Sequence, residues 1–195
     1  MSVSTTRLTL VDVVVPKAGF FVDAALVVGF ACFTAMCAQI SFWVGAVPVT
    51  GQTLAVLLSG ALLGSRRGAL SQLSYLAVGA TGVPYWFALG GPIGIARLVG
   101  PTGGYLLAFV LAAFAIGWLV ERGWDRRVWK ATLAMLTGNI VIYTVGLIWL
   151  ANFVPEGNVL KVGLYPFIAG DLLKMAAAAL FLPSGWWLLR RFKNE

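Results

Sequence analysis

Long uninterrupted apolar runs set the pattern of this chain. No Asp, Glu, Lys or Arg occurs in 24–65, 68–96, 98–120 or 131–155. A helix crosses a bilayer with roughly 20 apolar residues, so these runs predict membrane-spanning helices. The first run, 42 residues from Ala24 to Ser65, is too long for one span and breaks at GAVPVTG. Charged or Gly/Pro-rich breaks divide the rest. The pattern predicts an all-α integral membrane protein of six transmembrane helices, at about 20–44, 51–64, 68–82, 101–120, 130–153 and 166–189. Outer loops are expected at about 45–50, 83–100 and 154–165, within a single membrane domain over 1–195.

Composition agrees. Charged residues make up 11% and hydrophobic residues 60% of the chain, against about 25% charged in a soluble domain. The net charge of +7 has a topological origin. In the six-span order, eleven of the fourteen Lys and Arg residues fall on one side: Arg7, Lys17, Arg66, Arg67, Arg122, Arg126, Arg127, Lys130, Arg190, Arg191 and Lys193. The positive-inside rule then places both termini in the cytoplasm, and no nucleic-acid partner is needed to explain the basicity. The chain has no His, the commonest general base and metal ligand. Cys32 and Cys37, five apart in one apolar stretch, read as packing residues with neither disulfide nor metal site. The N-terminus lacks a signal-peptide pattern and is expected at the membrane surface.

Two spans are short. Fourteen or fifteen helical residues rise about 21–23 Å, against a hydrocarbon core of about 30 Å. The loops beyond them, VGAVPVTG and GVPYWFALGGPIGIARLVGPTGG, are apolar but rich in Gly and Pro. Irregular backbone at membrane depth is tolerated where it lines a cavity or is buried in protein. These loops are therefore expected to roof an outward-facing pocket, with Tyr85, Trp86 and Phe87 near solvent. The plainer reading is ordinary loops over a thinned bilayer.

The last span carries Asp171 and Lys174 in AGDLLKMAAAALFL. Three apart, they share a helix face. Counted from Pro166, they lie about 8 and 12 Å into the membrane. A charge at such depth costs about 2.5–3.5 kcal/mol unless compensated. Either the two pair and fix helix packing, or they face the pocket and hold a polar ligand. Arg97, the one Arg on the outer side, favours the pocket. Asp accepts hydrogen bonds, while Lys and Arg donate them and bind anions. The set suits a small molecule with N–H donors at one end, an anion at the other and an apolar middle. Asn139 and Tyr143, four apart on one helix face, are candidates to complete the pocket. Trp149 reads as an interfacial belt residue. Ala31 and Ala35 form a small-xxx-small step, which serves packing inside the bundle or docking of another membrane protein. Gly64 and Gly68 read as turn glycines.

Five stretches in order, VPVTGQTLAVLLSGALLGSRRGALS, YLAVGATGVPYWF, LVGPTGGYLLAF, IYTVGLIWL and AGDLLKMAAAA, resemble the BioY family. These are the biotin-specific substrate-binding (S) components of energy-coupling factor (ECF) transporters. Gly51 and Leu89 depart from the family pattern. The resemblance implies a six-helix S-component fold and biotin capture from outside, with no catalysis. It implies residence in a prokaryotic cytoplasmic membrane as a multi-pass protein. It places Arg97, Asp171 and Lys174 in the biotin site; Tyr143, Trp86 and Asn139 stand beside them as candidates from their positions in the chain. Partners follow from it too: a transmembrane coupling protein, docked on Ala31 and Ala35, and two ATPases. ATP would be used only by those partners, since no G-x-x-x-x-G-K-[ST] occurs in the chain, and no cofactor or metal is implied. The residues themselves leave open an S component for another small vitamin, and an intramembrane enzyme using Asp171 and Lys174.

Overall fold

The computed structural model describes residues 8–15, 19–44, 47–155 and 157–193. Arg7 and Lys17 of the charge tally, and Gly45 and Ala46 of the first break, lie outside the described residues. The elements are α1 (Leu10–Val14), α2 (Phe20–Ala38), strands β1 (Ser41–Val44) and β2 (Val47–Thr50), α3 (Gln52–Ala80), α4 (Ile95–Val99), α5 (Gly103–Val120), a 3-10 turn (Trp124–Arg126), α6 (Val128–Leu150), α7 (Val159–Gly163) and α8 (Tyr165–Lys193). Among the described residues, four stretches are long and apolar enough to cross a membrane: Phe20–Ala38, Gly103–Val120, Val128–Leu150 and Val159–Leu189.

The first span is shorter than expected. Its helix stops at Ala38, and an antiparallel hairpin replaces the irregular loop, with Ser41 opposite Thr50 and Val44 opposite Val47. Both strands, SFWV and VPVT, are rich in β-branched and aromatic residues. Pro48 bars a helix there.

The second and third spans are two arms of α3, folded back on each other at Gly64. Gly64 has φ +83° and ψ −178°, backbone space reserved almost entirely for glycine. The arms run antiparallel, since Gln52 reaches Tyr75 and Ser59 reaches Gln72 across the turn. The charged turn expected over Gly64–Gly68 is thus a single residue, Gly64, and helix resumes at Ser65. Gly68 is a packing glycine: a Cβ on it would lie 2.9 Å from Gly60 Cα. α5 packs extensively on α3.

A polar cluster joins α2 to this hairpin. Gln72, fully buried, donates from Nε2 toward Thr34, Ser59 and Ser71 at 3.2, 3.0 and 3.3 Å. Those three hydroxyls already donate to backbone carbonyls of Phe30, Val56 and Gly68. Removing the amide strands no donor. Gln72→Met is therefore expected to change stability by less than about 1 kcal/mol, in line with the weak average worth of hydrogen bonds between membrane helices. Thermal unfolding in detergent checks this; a loss as large as that of a core cavity would refute it.

The small-residue face of α2 turns inward. Ala31 is 3% and Ala35 8% exposed, in one core cluster with Val56, Tyr75 and Leu76. Of the two uses open to these alanines, packing inside the bundle or docking of another membrane protein, the structure shows the packing: they bring α2 close to α3. The exposed side of α2 carries Phe21, Val28 and Met36 instead.

The bundle has two chemically different ends. At one, Arg67 of the hairpin tip pairs with Asp12 of α1 and with Asp23 of α2 at 3.0 Å. There Glu121, after α5, accepts from Ser65 N and Oγ at 2.7 and 2.8 Å. Asp125 accepts from Trp186 Nε1 near the end of α8. At the other end lie the strand hairpin, the long loop 83–94, α4, α7 and the start of α8.

Candidate functional site

The end of the bundle remote from Leu10 and Lys193 holds a cavity. β2 supplies Val47, Pro48 and Thr50, and the first turn of α3 supplies Gln52 and Thr53. Phe87 comes from the long loop, Arg97 from α4 and Thr102 from the approach to α5. Tyr105, Leu106 and Phe109 share one face of α5, and Ile142 and Tyr143 project from α6. On α8, Phe167, Asp171 and Lys174 fall at i, i+4 and i+7, so one helix face brings all three to this end.

Lys174 and Asp171 are paired, at 2.9 Å from Nζ to Oδ1. The ammonium also donates to Thr50 O at 2.7 Å and to Thr53 Oγ1 at 2.8 Å, which uses its three N–H groups. Asp171 is 4% exposed. It further accepts from Thr53 Oγ1 at 3.0 Å and from the Tyr143 hydroxyl. Hydrogen bonds from all sides offset the cost of holding these charges at membrane depth. Lys174 lines the cavity, whereas Asp171 stands behind it and also borders a separate crevice between α6 and α8.

Beside this cluster stand three mutually packed rings. Tyr105 and Phe167 stack at 6.5 Å between centroids, and Tyr143 meets both edge-on at 6.4 Å. The Tyr105 hydroxyl donates to Gly163 O at 2.9 Å, which fixes its ring against α7.

The roof is fastened by side chains. Gln52 donates to Phe87 O at 2.7 Å and to the Tyr75 hydroxyl, and accepts from Thr50 Oγ1 at 2.7 Å. One amide thus joins β2, α3 and the long loop. Arg97 is 3% exposed and donates from Nη1 to Gly90 O at 2.9 Å. Burial lowers its pKa from the ordinary guanidinium value, yet arginine stays cationic in proteins. The set therefore counts two cations to one carboxylate.

Arg97, Lys174 and Tyr143 meet at one cavity, with Asp171 bonded to two of the three. Trp86 and Asn139 do not line it. Trp86 stacks on Tyr75 and donates to Tyr75 O at 2.8 Å, bracing the long loop. Asn139 borders the α6–α8 crevice with Asp171. Phe87, expected near solvent, is buried edge-on against Tyr75. Trp149, at the outer end of α6, is half-buried and donates to Gly100 O at 2.9 Å. Sequence reasoning missed Thr50, Gln52, Thr53, Tyr105 and Phe167. The VTGQT stretch was a usable signal, since it places uncharged polar groups at the outer end of an apolar run. The arrangement suits binding of a compact amphipath, with paired donors and acceptors deep in the cavity, aromatic walls and a guanidinium at the roof.

A family model described as the BioY family matches residues 7–191. A probable biotin transporter BioY of Pyrococcus horikoshii is 41% identical over 158 residues, which is 81% of this chain and 92% of that protein. The biotin transporter BioY of Thermotoga maritima is 39% identical over 165 residues, 84% of this chain and 90% of that one. Among solved structures, the S-component for biotin from an ECF-type ABC transporter superposes with a TM-score of 0.68. It is 25% identical, with 89% of this chain and 91% of that chain covered.

Proposed function

Because the chain belongs to the BioY family, we propose that it captures biotin as the substrate-binding subunit of an ECF-type transporter. It carries out no reaction. It spans a prokaryotic cytoplasmic membrane six times, counting each arm of α3, with both termini in the cytoplasm and the cavity open outward. The cation bias supports this orientation: Arg66, Arg122, Arg127, Lys130 and Arg191 lie at the end of the bundle that carries the termini. A transmembrane coupling protein and two ATPases supply the energy.

The carrying observation is the Lys174–Asp171–Thr53–Tyr143 cluster under aromatic walls. Biotin has a ureido ring with two N–H donors and a carbonyl, an apolar thioether ring and a valerate carboxylate. A carboxylate beside Asp171 would be repelled, whereas ureido N–H groups use an acceptor and the ureido oxygen uses a cation. The ureido end therefore faces Lys174 and Asp171. The thioether ring lies against Tyr105 and Phe167, and the carboxylate goes to Arg97, a donor-only group matched to carboxylates.

The detergent-solubilised protein should bind biotin tightly at 1:1. Biotinol, which replaces the carboxylate by a hydroxyl, should bind at least tenfold more weakly, as expected for loss of a charge-assisted bond worth roughly 1.5–3 kcal/mol. That difference should shrink to about twofold in Arg97→Gln. No heat stabilisation by biotin, with stabilisation by another vitamin in the same panel, would replace the ligand. An undiminished biotinol penalty in Arg97→Gln would reverse the orientation.

A further inference from the structure

We infer that the turn between α5 and α6, together with the end of α8, forms a binding site for an anionic glycerophospholipid. The inference rests on the membrane setting and not on the identity of the cavity's ligand.

Cations at the terminus-bearing end fall into two groups. On the α1–α2 side, Arg67 is neutralised by Asp12 and Asp23. On the α5–α6–α8 side, Arg122, Arg127, Lys130 and Arg191 make no ion pair among the described residues. The two acids nearby are committed elsewhere: Glu121 accepts from Ser65, and Asp125, fully buried, accepts from Trp186.

Three of these cations, and Arg126 between them, lie over tryptophans. The Arg122 guanidinium lies 3.4 Å from the Trp118 ring centre and Arg126 4.6 Å from that of Trp186. Lys130 and Arg191 lie 5.4 and 5.6 Å from the rings of Trp129 and Trp187. The Asp125–Trp186 bond joins the α8 end to the turn, so the groups belong to one surface. Trp118, Trp129 and Trp187 are themselves exposed. Indoles favour the level of the lipid headgroups, and basic clusters there attract anionic ones.

The shape points to a lipid over a free phosphate. Exposed Leu107, Leu111, Phe114 and Trp118 follow one face of α5 and lead directly to Arg122. Exposed Trp129, Leu133, Leu136 and Ile140 follow one face of α6 away from Lys130. Each stripe has the 4-3-4 spacing of a helix face. Acyl chains lying on these stripes would bring a phosphodiester to the guanidinium groups, which donate to phosphate in pairs.

The test is native mass spectrometry of the protein released from nanodiscs of equal phosphatidylglycerol and phosphatidylcholine. Retained lipid should be enriched in phosphatidylglycerol by roughly tenfold or more, given about fivefold per surface cation. The variant Arg122→Gln/Arg127→Gln/Lys130→Gln should reduce the enrichment to about twofold at an unchanged melting temperature. Equal retention of both lipids by the wild type, or full enrichment in the variant, would overturn the inference. So would displacement of phosphatidylglycerol by an equal concentration of glycerol 3-phosphate, which carries the phosphate without the chains.

Discussion

Lys174→Met is expected to weaken biotin binding by at least a hundredfold, on the order of 3 kcal/mol, the scale of breaking one side of a buried ion pair. The methionine keeps the stem and removes the donors. Thr50 O and Thr53 Oγ1 lose a partner, and Asp171, 4% exposed, loses the adjacent cation. Two consequences should separate in the data. Folding stability falls because a carboxylate is left uncompensated at membrane depth. Binding falls because the cation facing the ligand is gone. Adding Asp171→Leu removes the orphaned charge, so the double variant should recover melting temperature while still failing to bind. Isothermal titration with biotin and parallel thermal melts read both effects. Binding within threefold of wild type by Lys174→Met would end the assignment of this cavity to biotin.

The other large effect is expected at the opposite end. Gly64→Ala should destabilise the protein by about 3 kcal/mol or more, combining backbone strain of about 1–3 kcal/mol with damage to a helix cap. At φ +83° and ψ −178° an alanine is strained whatever the space around it. Its Cβ would also lie 2.7 Å from Glu121 Oε1. That oxygen caps the second arm of α3 by accepting from Ser65 N and Oγ. Glu121→Gln supplies the comparison: it keeps the turn open and weakens only the cap, for a loss nearer 1 kcal/mol. Detergent melts that placed Gly64→Ala and Glu121→Gln together would show that the turn tolerates a side chain.

What the chain discloses by itself depends on the kind of residue. Asp171, Lys174 and Arg97 were legible because a charge in an apolar run is costly and therefore conspicuous. Thr53 and Gln52 were not, although they bond to Asp171 and to the roof. Uncharged polar residues are common near helix ends, and Thr53 meets its partner 118 positions away. Aromatic residues were ambiguous for a further reason. Hydropathy does not say whether Trp149 faces lipid or Gly100, nor whether Tyr105 points inward. The alanine face of α2 was visible as close-packing chemistry, but spacing could not tell which neighbour it approaches. The strand hairpin was hidden by its apolarity, which extended the preceding helix across it.

The single-residue turn of α3 bears on how the protein enters the membrane. Its arms, 52–63 and 65–80, rise about 18 and 24 Å, each short of a bilayer crossing of about 30 Å. Each arm alone is a weak stop-transfer segment, which favours partitioning of the two together as one helical hairpin. Ser59, Gln72 and Thr34 are then desolvated at the same step, when the hairpin seats on α2. α5, made later, packs on α3. Because α5 and α8 both line the cavity, it is complete only once α8, its last wall in chain order, has been made.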